Sequence, residues 1–389
     1  MSRVLTTGKT SRQISSSDAL NKLLIHSFNL FYYEKTLLFA VAASVALAGC
    51  VKNDPANGGT VASDAKISFD APAVGAVTRA VAGEIVNPYN KAEHFTVYAL
   101  HFADKYTSFN DGAFYMAGVE TAYDTAGNCW NSESVAGGKT YYWPKNGSLT
   151  FQAYSPSDAR TDCTIGWWGT GFTFDNFTVA AVGQQYDLMF SNRSYNRTSS
   201  TNQSSDNRYN GVDITFKHAL SSIVFKVGTD ADYAGADLDF KVKKIEIQGV
   251  NNKGNFNENL TDGNNENTRN PEWTDQTGAV NYIAFEGSFA VPENGTDRVE
   301  PTGAADLILL PQLIPDGAMV VVEYTIATMT SGEITQTATF KLKPNTDNNT
   351  WTLGKRYTYN IIFGGMEKIY FAPVVEDWDD VESNVDFEI

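Results

Sequence analysis

Apolar and polar residues alternate with a period of two along most of the chain, which predicts strands rather than helices. At 67–77 the odd positions are Ile67, Phe69, Ala71, Ala73, Gly75 and Val77, an apolar row on one face of an extended segment. Pro72 has no N–H to give a ladder, so the pattern puts this strand at a sheet edge. The stretch 94–102 alternates strongly and reads as a buried strand. Asn146-Gly147 leads into an aromatic strand at 149–154 that ends at Ser155-Pro156, and 186–190 is a short strand. Between them, 104–138 is turn-rich with no clear period, and the Ser/Asn/Arg tract 191–210 reads as a surface loop. Further on, 212–216, 223–227, 240–250, 319–326, 334–342 and 357–363 each have the strand period. In 334–342, Ile334, Ala338, Phe340 and Leu342 share one face, with Thr335, Thr337, Thr339 and Lys341 opposite. Such one-sided strands favour an all-β chain of antiparallel sandwiches over a parallel α/β sheet. A Gly/Asp-rich stretch near 232 divides it into 80–232 and 233–389; the Ser/Asn/Arg tract is the alternative boundary.

The N-terminal stretch has a different pattern. Residues 36–46 are an uncharged apolar run behind Lys35, too short for a bilayer span and suited to the apolar region of a secretory signal. Small residues then lead to a cysteine in Leu47-Ala48-Gly49-Cys50, which resembles a bacterial lipobox. On that reading 1–49 is a signal peptide and Cys50 is lipidated. Residues 50–79 then form a tether and a removable first strand. The plain alternative is a buried helix with a chance cysteine. A leader of 34 residues carrying Arg3, Lys9, Arg12 and Lys22 is long, and suggests a start codon assigned too early.

Composition agrees with the strand pattern: aromatic residues make up 13% of the 389, charged residues 19%, and there are 31 glycines. The formal charge is −16, and losing 1–49, with its five basic and two acidic residues, leaves −19. Such a surface repels nucleic acid and anionic lipid. Cys129 and Cys163 either form one disulfide or stay as two unpaired thiols. Neither shows metal-ligand spacing with His26, His94, His101 or His218, so no metal or other cofactor is expected. Nucleophile-elbow, phosphate-loop and zinc-protease motifs do not occur, and the chain reads as a non-enzyme, although carboxylate pairs distant in sequence would leave no trace. Gly166-Trp167-Trp168-Gly169 has the look of an aromatic carbohydrate platform; core or turn aromatics are the plainer reading.

Taken in order, six stretches carry a resemblance. They are the lipobox; Thr78-Arg79-Ala80; Tyr142-Trp143-Pro144 running into Phe151-Gln152-Ala153-Tyr154-Ser155-Pro156; Phe216-Lys217-His218-Ala219-Leu220-Ser221-Ser222-Ile223; Leu309-Leu310-Pro311-Gln312; and 351–359 continuing to Ile369 and Val375-Glu376-Asp377-Trp378. Over 50–378 the chain resembles the fimbrillins, the type V pilin superfamily. The resemblance implies two transthyretin-like antiparallel β-sandwich domains in tandem. It also implies export as a palmitate-bearing lipoprotein on Cys50, to the outer membrane and cell surface, and proteolysis between Arg79 and Ala80. Assembly would be by strand exchange with other pilin subunits, as a homo- or hetero-polymer that serves adhesion to a host or bacterial surface ligand. Residues 381–389 alternate Val381, Ser383, Val385, Phe387 and Ile389 with polar residues, which makes Val381, Val385, Phe387 and Ile389 the apolar row of a donor strand. Folding back as an edge strand of its own domain is the alternative. His218 reads as a satisfied histidine in a strand turn. The roles of stalk, tip and anchor stay open, as does a different function, a monomeric surface lipoprotein that binds glycans through Trp167 and Trp168.

Overall fold

The computed structural model describes residues 65–74, 89–199, 211–233, 238–261, 269–328, 332–342, 349–364 and 369–378. In the first half the strands are β1 (Phe69–Val74), β2 (Phe95–Phe102), β3 (Ala113–Asp124), β4 (Cys129–Asn131), β5 (Ser148–Ser155), β6 (Thr164–Trp168), β7 (Gly171–Thr178), β8 (Met189–Ser191), β9 (Ser194–Arg197) and β10 (Val212–His218). Then come β11 (Ser221–Thr229), β12 (Leu238–Asn257), β13 (Glu272–Ala290), β14 (Leu307–Leu309), β15 (Met319–Thr328), β16 (Ile334–Lys341), β17 (Lys355–Phe363) and β18 (Ile369–Asp377).

The first sheet closes on itself. Its order is β2-β3-β4-β1-β10-β8-β5, and β5 returns to pair with β2, while β9 flanks β5. Alternation explains the closure: Phe95, Val97 and Ala99 of β2 and Leu149, Phe151 and Ala153 of β5 all point inward and are fully buried. The opposite face is also covered, since Leu100, Phe102, Tyr154 and Phe190 join a second apolar cluster that continues into the rest of the molecule. Every residue of β5 is therefore buried.

Two further sheets make a sandwich. One has the order β14-β11-β17-β18, the other β16-β15-β12-β7-β6 with β13 along the remaining edge of β12. Aromatic contacts fill the space between them, with Phe240 and Tyr324 of the second sheet 5.0 and 5.2 Å from the Phe363 ring. Phe340 stacks on Phe371 at 5.2 Å. β12 is 20 residues long, so along one edge it can pair first with β15 and then with β7. The chain is all-β and mainly antiparallel, with parallel pairing of β1 with β10 and of β11 with β17. The strands change sheet between β10 and β11, before the point near 232 where the pattern divides the chain. The β6–β7 hairpin crosses over to bond to β12.

Several expectations need correcting. β1 is not an edge strand; it lies between β4 and β10, and Pro72 falls in the register break between Asp70 and Ala73, where its missing N–H interrupts no regular ladder. The turn-rich stretch 104–138 contains β3, twelve residues whose burial shows no simple alternation. The Ser/Asn/Arg tract does not begin at the surface, because Ser191, Arg193 and Ser194 are buried. β13, which the alternation did not mark, is exposed over most of its length and buries only Tyr282, Ala284 and Phe285.

Candidate functional site

Two features stand out: the way β1 is built into the ring, and a buried polar cluster where the ring meets the sandwich. The entry to β1 is held first by backbone bonds. Ile67 N–H donates to Tyr141 O and Trp143 N–H to Ala65 O, each at 2.8 Å, and Val212 N–H donates to Ser68 O at 2.9 Å. Phe69 then enters the ring core. It is 1% exposed and meets Phe95 and Phe151 edge-on at 5.7 and 5.8 Å. Its backbone pairs with Trp130 on one side and Val212 on the other. Thus β1 is the stave that closes the ring, and without it β4 and β10 would be two open edges beside an apolar core.

The buried cluster centres on Glu258, just past β12. Inward positions there are Phe256, Glu258 and Leu260, so the strand alternation drives a carboxylate into the core. Three groups hold it. Gln152 Nε2 donates to Oε2 and Oε1 at 2.7 and 3.0 Å, Phe172 N–H donates to Oε2 at 2.8 Å, and Arg269 Nε stands 3.3 Å from Oε1. Burial nonetheless pushes the Glu258 carboxyl above its ordinary range, against the pull of Arg269 and Arg193. Gln152 Oε1 in turn accepts from Trp167 Nε1 at 2.8 Å and from Arg193 Nε at 3.1 Å. Arg193, 1% exposed, spends its remaining donors on Trp168 O at 2.8 Å and Gly169 O at 3.1 Å. The cluster thereby pins the tip of the β6–β7 hairpin to β5 of the ring. It offers no access to a substrate, and its chemistry is that of a structural clasp.

The positions expected to be functional fall unevenly. Cys50, Arg79, Ala80, Val381, Val385, Phe387 and Ile389 lie outside the described residues. Cys129 and Cys163 are not joined in a disulfide: Cys129 is buried in β4, and Cys163 Sγ donates to Ala159 O at 3.2 Å. Trp167 and Trp168 do not form one platform. Successive residues of a strand point to opposite faces, so Trp167 is buried at 4% exposure and Trp168 is 59% exposed. His218 is the last residue of β10, paired with Met189 of β8 rather than lying in the turn that follows, with Nδ1 2.6 Å from Asp187 Oδ2 and its ring stacked 4.1 Å from Trp378. Among the described residues no group of three or more His, Cys, Asp or Glu is placed to hold a metal. Sequence reasoning missed Glu258, Arg193 and Arg269 altogether. The one available signal was the lone Glu258 at the alternation position between Phe256 and Leu260.

A family model described as fimbrillin-like matches residues 78–378. Among solved structures, the chain is similar to a fimbrial protein from Bacteroides vulgatus, with a TM-score of 0.53 and 17% identity over 80% of this chain and 99% of that one. It is more distantly similar to the fimbrial anchor protein Mfa2 from Porphyromonas gingivalis, at a TM-score of 0.28 and 11% identity over 80% and 96% of the two chains. A comparison with curated proteins gives no match. With three quarters of its length matched in order by that model, the chain belongs to the fimbrillin-like family.

Proposed function

We propose that this chain is a structural subunit of a cell-surface fimbria that is exported as a lipoprotein on Cys50, cut between Arg79 and Ala80, and assembled by strand exchange to serve adhesion. Membership of the fimbrillin-like family supports a fimbrial or adhesive role. The observation that carries the finer reading is the position of β1. It closes the ring from within, yet it precedes the family-matched region, which begins at residue 78, next to Arg79. Cutting there would remove β1 whole and leave the rest of the matched chain intact. Ile67 and Phe69 would leave with it, and burying side chains of this size is worth roughly 1.5–3 kcal/mol each. The vacated groove would then be an apolar slot between two open strand edges, which suits an incoming extended strand. The alternating row Val381, Val385, Phe387 and Ile389 of a neighbouring subunit is the proposed occupant, and other pilin subunits and the outer membrane are the proposed partners.

Mass spectrometry of surface-sheared material tests this reading. A polymer of chains starting at Ala80 is the expected result, with Arg79→Ala exported but monomeric. Polymers built from chains that still begin at Cys50, or normal polymerisation of Arg79→Ala, would overturn it.

A further inference from the structure

Trp168 has the geometry of a ligand platform. Gly166 and Trp168 share the outer face of β6, and an ideal Cβ on Gly166 would lie 2.5 Å from Trp168 Nε1 and 2.5 Å from Thr173 Oγ1. Only glycine leaves room for the indole to lie down along the strand. The Nε1 edge of the indole therefore lies over Gly166, while 59% of the side chain stays open to solvent. The backbone beneath is fixed, because the buried Arg193 guanidinium binds both Trp168 O and Gly169 O. A site held this way loses little freedom when it binds. β6 is also the outermost strand of its sheet, so among the described residues no further strand of that sheet pairs beyond it.

The residues around this indole are polar. Directly cross-strand from Gly166 come Thr173 of β7, Asn257 of β12 and Glu272 of β13, one row of side chains across four strands on the same outer face. Hydrogen bonds orient the far end of this row. The Asn257 carbonyl accepts from Asn259 N–H at 3.0 Å, which leaves its Nδ2 to donate, and Asn259 Nδ2 holds the Glu272 carboxylate at 2.8 Å. Asp175 lies on the same face, opposite Thr164. A protein-docking surface would need an apolar centre, and the described residues of this face set one aromatic ring, that of Trp168, among hydroxyl, amide and carboxylate groups. That mixture matches a sugar ring, whose C–H face covers an aromatic plane while its hydroxyl rim both donates and accepts. Asp175 and Glu272, in a chain of formal charge −16, repel acidic sugars.

We propose that the outer face of β6, β7 and β12 around Trp168 is a binding site for neutral saccharides. The proposal does not rest on polymerisation, since every residue it uses belongs to one chain.

The test is an array of neutral oligosaccharides and their sialylated counterparts probed with the purified full chain, followed by titration of the strongest neutral binder by tryptophan fluorescence. Neutral glycans should bind, and sialylated versions of the same core more weakly. Trp168→Ala should bind about tenfold more weakly with an unchanged melting temperature, and Trp168→Phe should fall between. Saturation-transfer NMR on the unmodified chain, with irradiation of aromatic protons, reads the contact without any variant and should show transfer to the sugar C–H protons. No neutral binder, a preference for the sialylated forms, undiminished binding by a folded Trp168→Ala, or no aromatic transfer would each overturn the proposal.

Discussion

The Gln152 amide nitrogen donates to both carboxylate oxygens of Glu258, at 2.7 and 3.0 Å, across 106 residues of chain and with both side chains fully buried. Because Gln152 Oε1 also accepts from Arg193 and Trp167, one side chain links a strand of the closed ring to the hairpin and to the long strand of the sandwich. Each member leaves another unsatisfied if it is removed, and the penalty for a buried charge without its partner exceeds the net worth of the bond.

Glu258→Ala should therefore be severe. It strips Arg269 of its ion pair and leaves Gln152 Nε2 only Ser191 O, at 3.2 Å, as an acceptor, and breaking a buried pair from one side costs about 3–5 kcal/mol. Urea unfolding of the full chain at neutral pH should show a midpoint well below that of the parent. A shift within error would mean that water reaches the cluster.

The same carboxyl gives a pH dependence whose sign is fixed. Burial raises the Glu258 pKa from the ordinary 4.5, so the folded chain takes up this proton at a higher pH than the unfolded chain does. Its contribution is complete below the unfolded value and is lost as pH rises through the folded value. Measured against Glu258→Gln, which cancels the other carboxyls, the stability advantage of the parent should shrink as the pH rises from the ordinary 4.5 of a glutamate toward neutrality. An advantage that grows over that range would show the two arginines outweighing burial.

How much of this was legible beforehand depended on whether one face of a strand stays uniform. β2 and β5 were read correctly because Phe95, Val97 and Ala99, and Leu149, Phe151 and Ala153, keep the core side apolar without a break. β3 was not, since Gly118 at φ 68° and two register shifts against β2 interrupt its alternation. β1 was found but misplaced: its proline argued for an edge, and the register break that accommodates it cannot be seen in a sequence. The clasp was hidden for another reason. Its charged members, Arg193, Glu258 and Arg269, lie in polar or Asn-rich tracts that look solvated until distant strands bring them together.

Gly147 offers a local test of ring closure. It follows Asn146 at the entry to β5 with φ 82°, and a Cβ there would run into Phe102 O at the end of β2 and come within 2.8 Å of His101 Nε2. Both the backbone angle and the space require glycine. Gly147→Ala should cost more than about 1 kcal/mol and lower the melting temperature, whereas Ala at Gly137, with nothing within 4 Å, should pay only for its positive φ.

The thiols report on Cys50. Burial, with Asp162 and Asp175 adding, pushes the Cys163 thiol up to about 12, and Cys129 is 4% exposed, so neither should react with a thiol reagent in the native chain at neutral pH. Unfolding the lipidated protein should release two reactive thiols. A third would mean that Cys50 carries no acyl group, and fewer than two would mean that Cys129 and Cys163 had been oxidised.

The last prediction concerns Phe69, whose ring fills the centre of the closed sheet. In the full chain Phe69→Ala leaves a cavity against Phe95 and Phe151, and the loss of a buried phenyl ring costs about 3–5 kcal/mol. A chain begun at Ala80 has no Phe69 to lose. It should instead expose Val212 on β10 and Trp130 on β4, bind a hydrophobic dye, and take up a synthetic peptide with the sequence of 65–77. Main-chain bonds alone would barely hold such a peptide, because each nets about 0.5–1.5 kcal/mol while ordering each residue costs about 1–2 kcal/mol. The apolar row must therefore decide the balance, and the same peptide carrying Phe69→Ala should bind far more weakly. Equal binding of the two peptides would show that the groove recognises backbone alone. A folded Ala80 chain that ignores both peptides would show that the ring, once opened, closes without β1, and strand exchange at that groove would have to be abandoned.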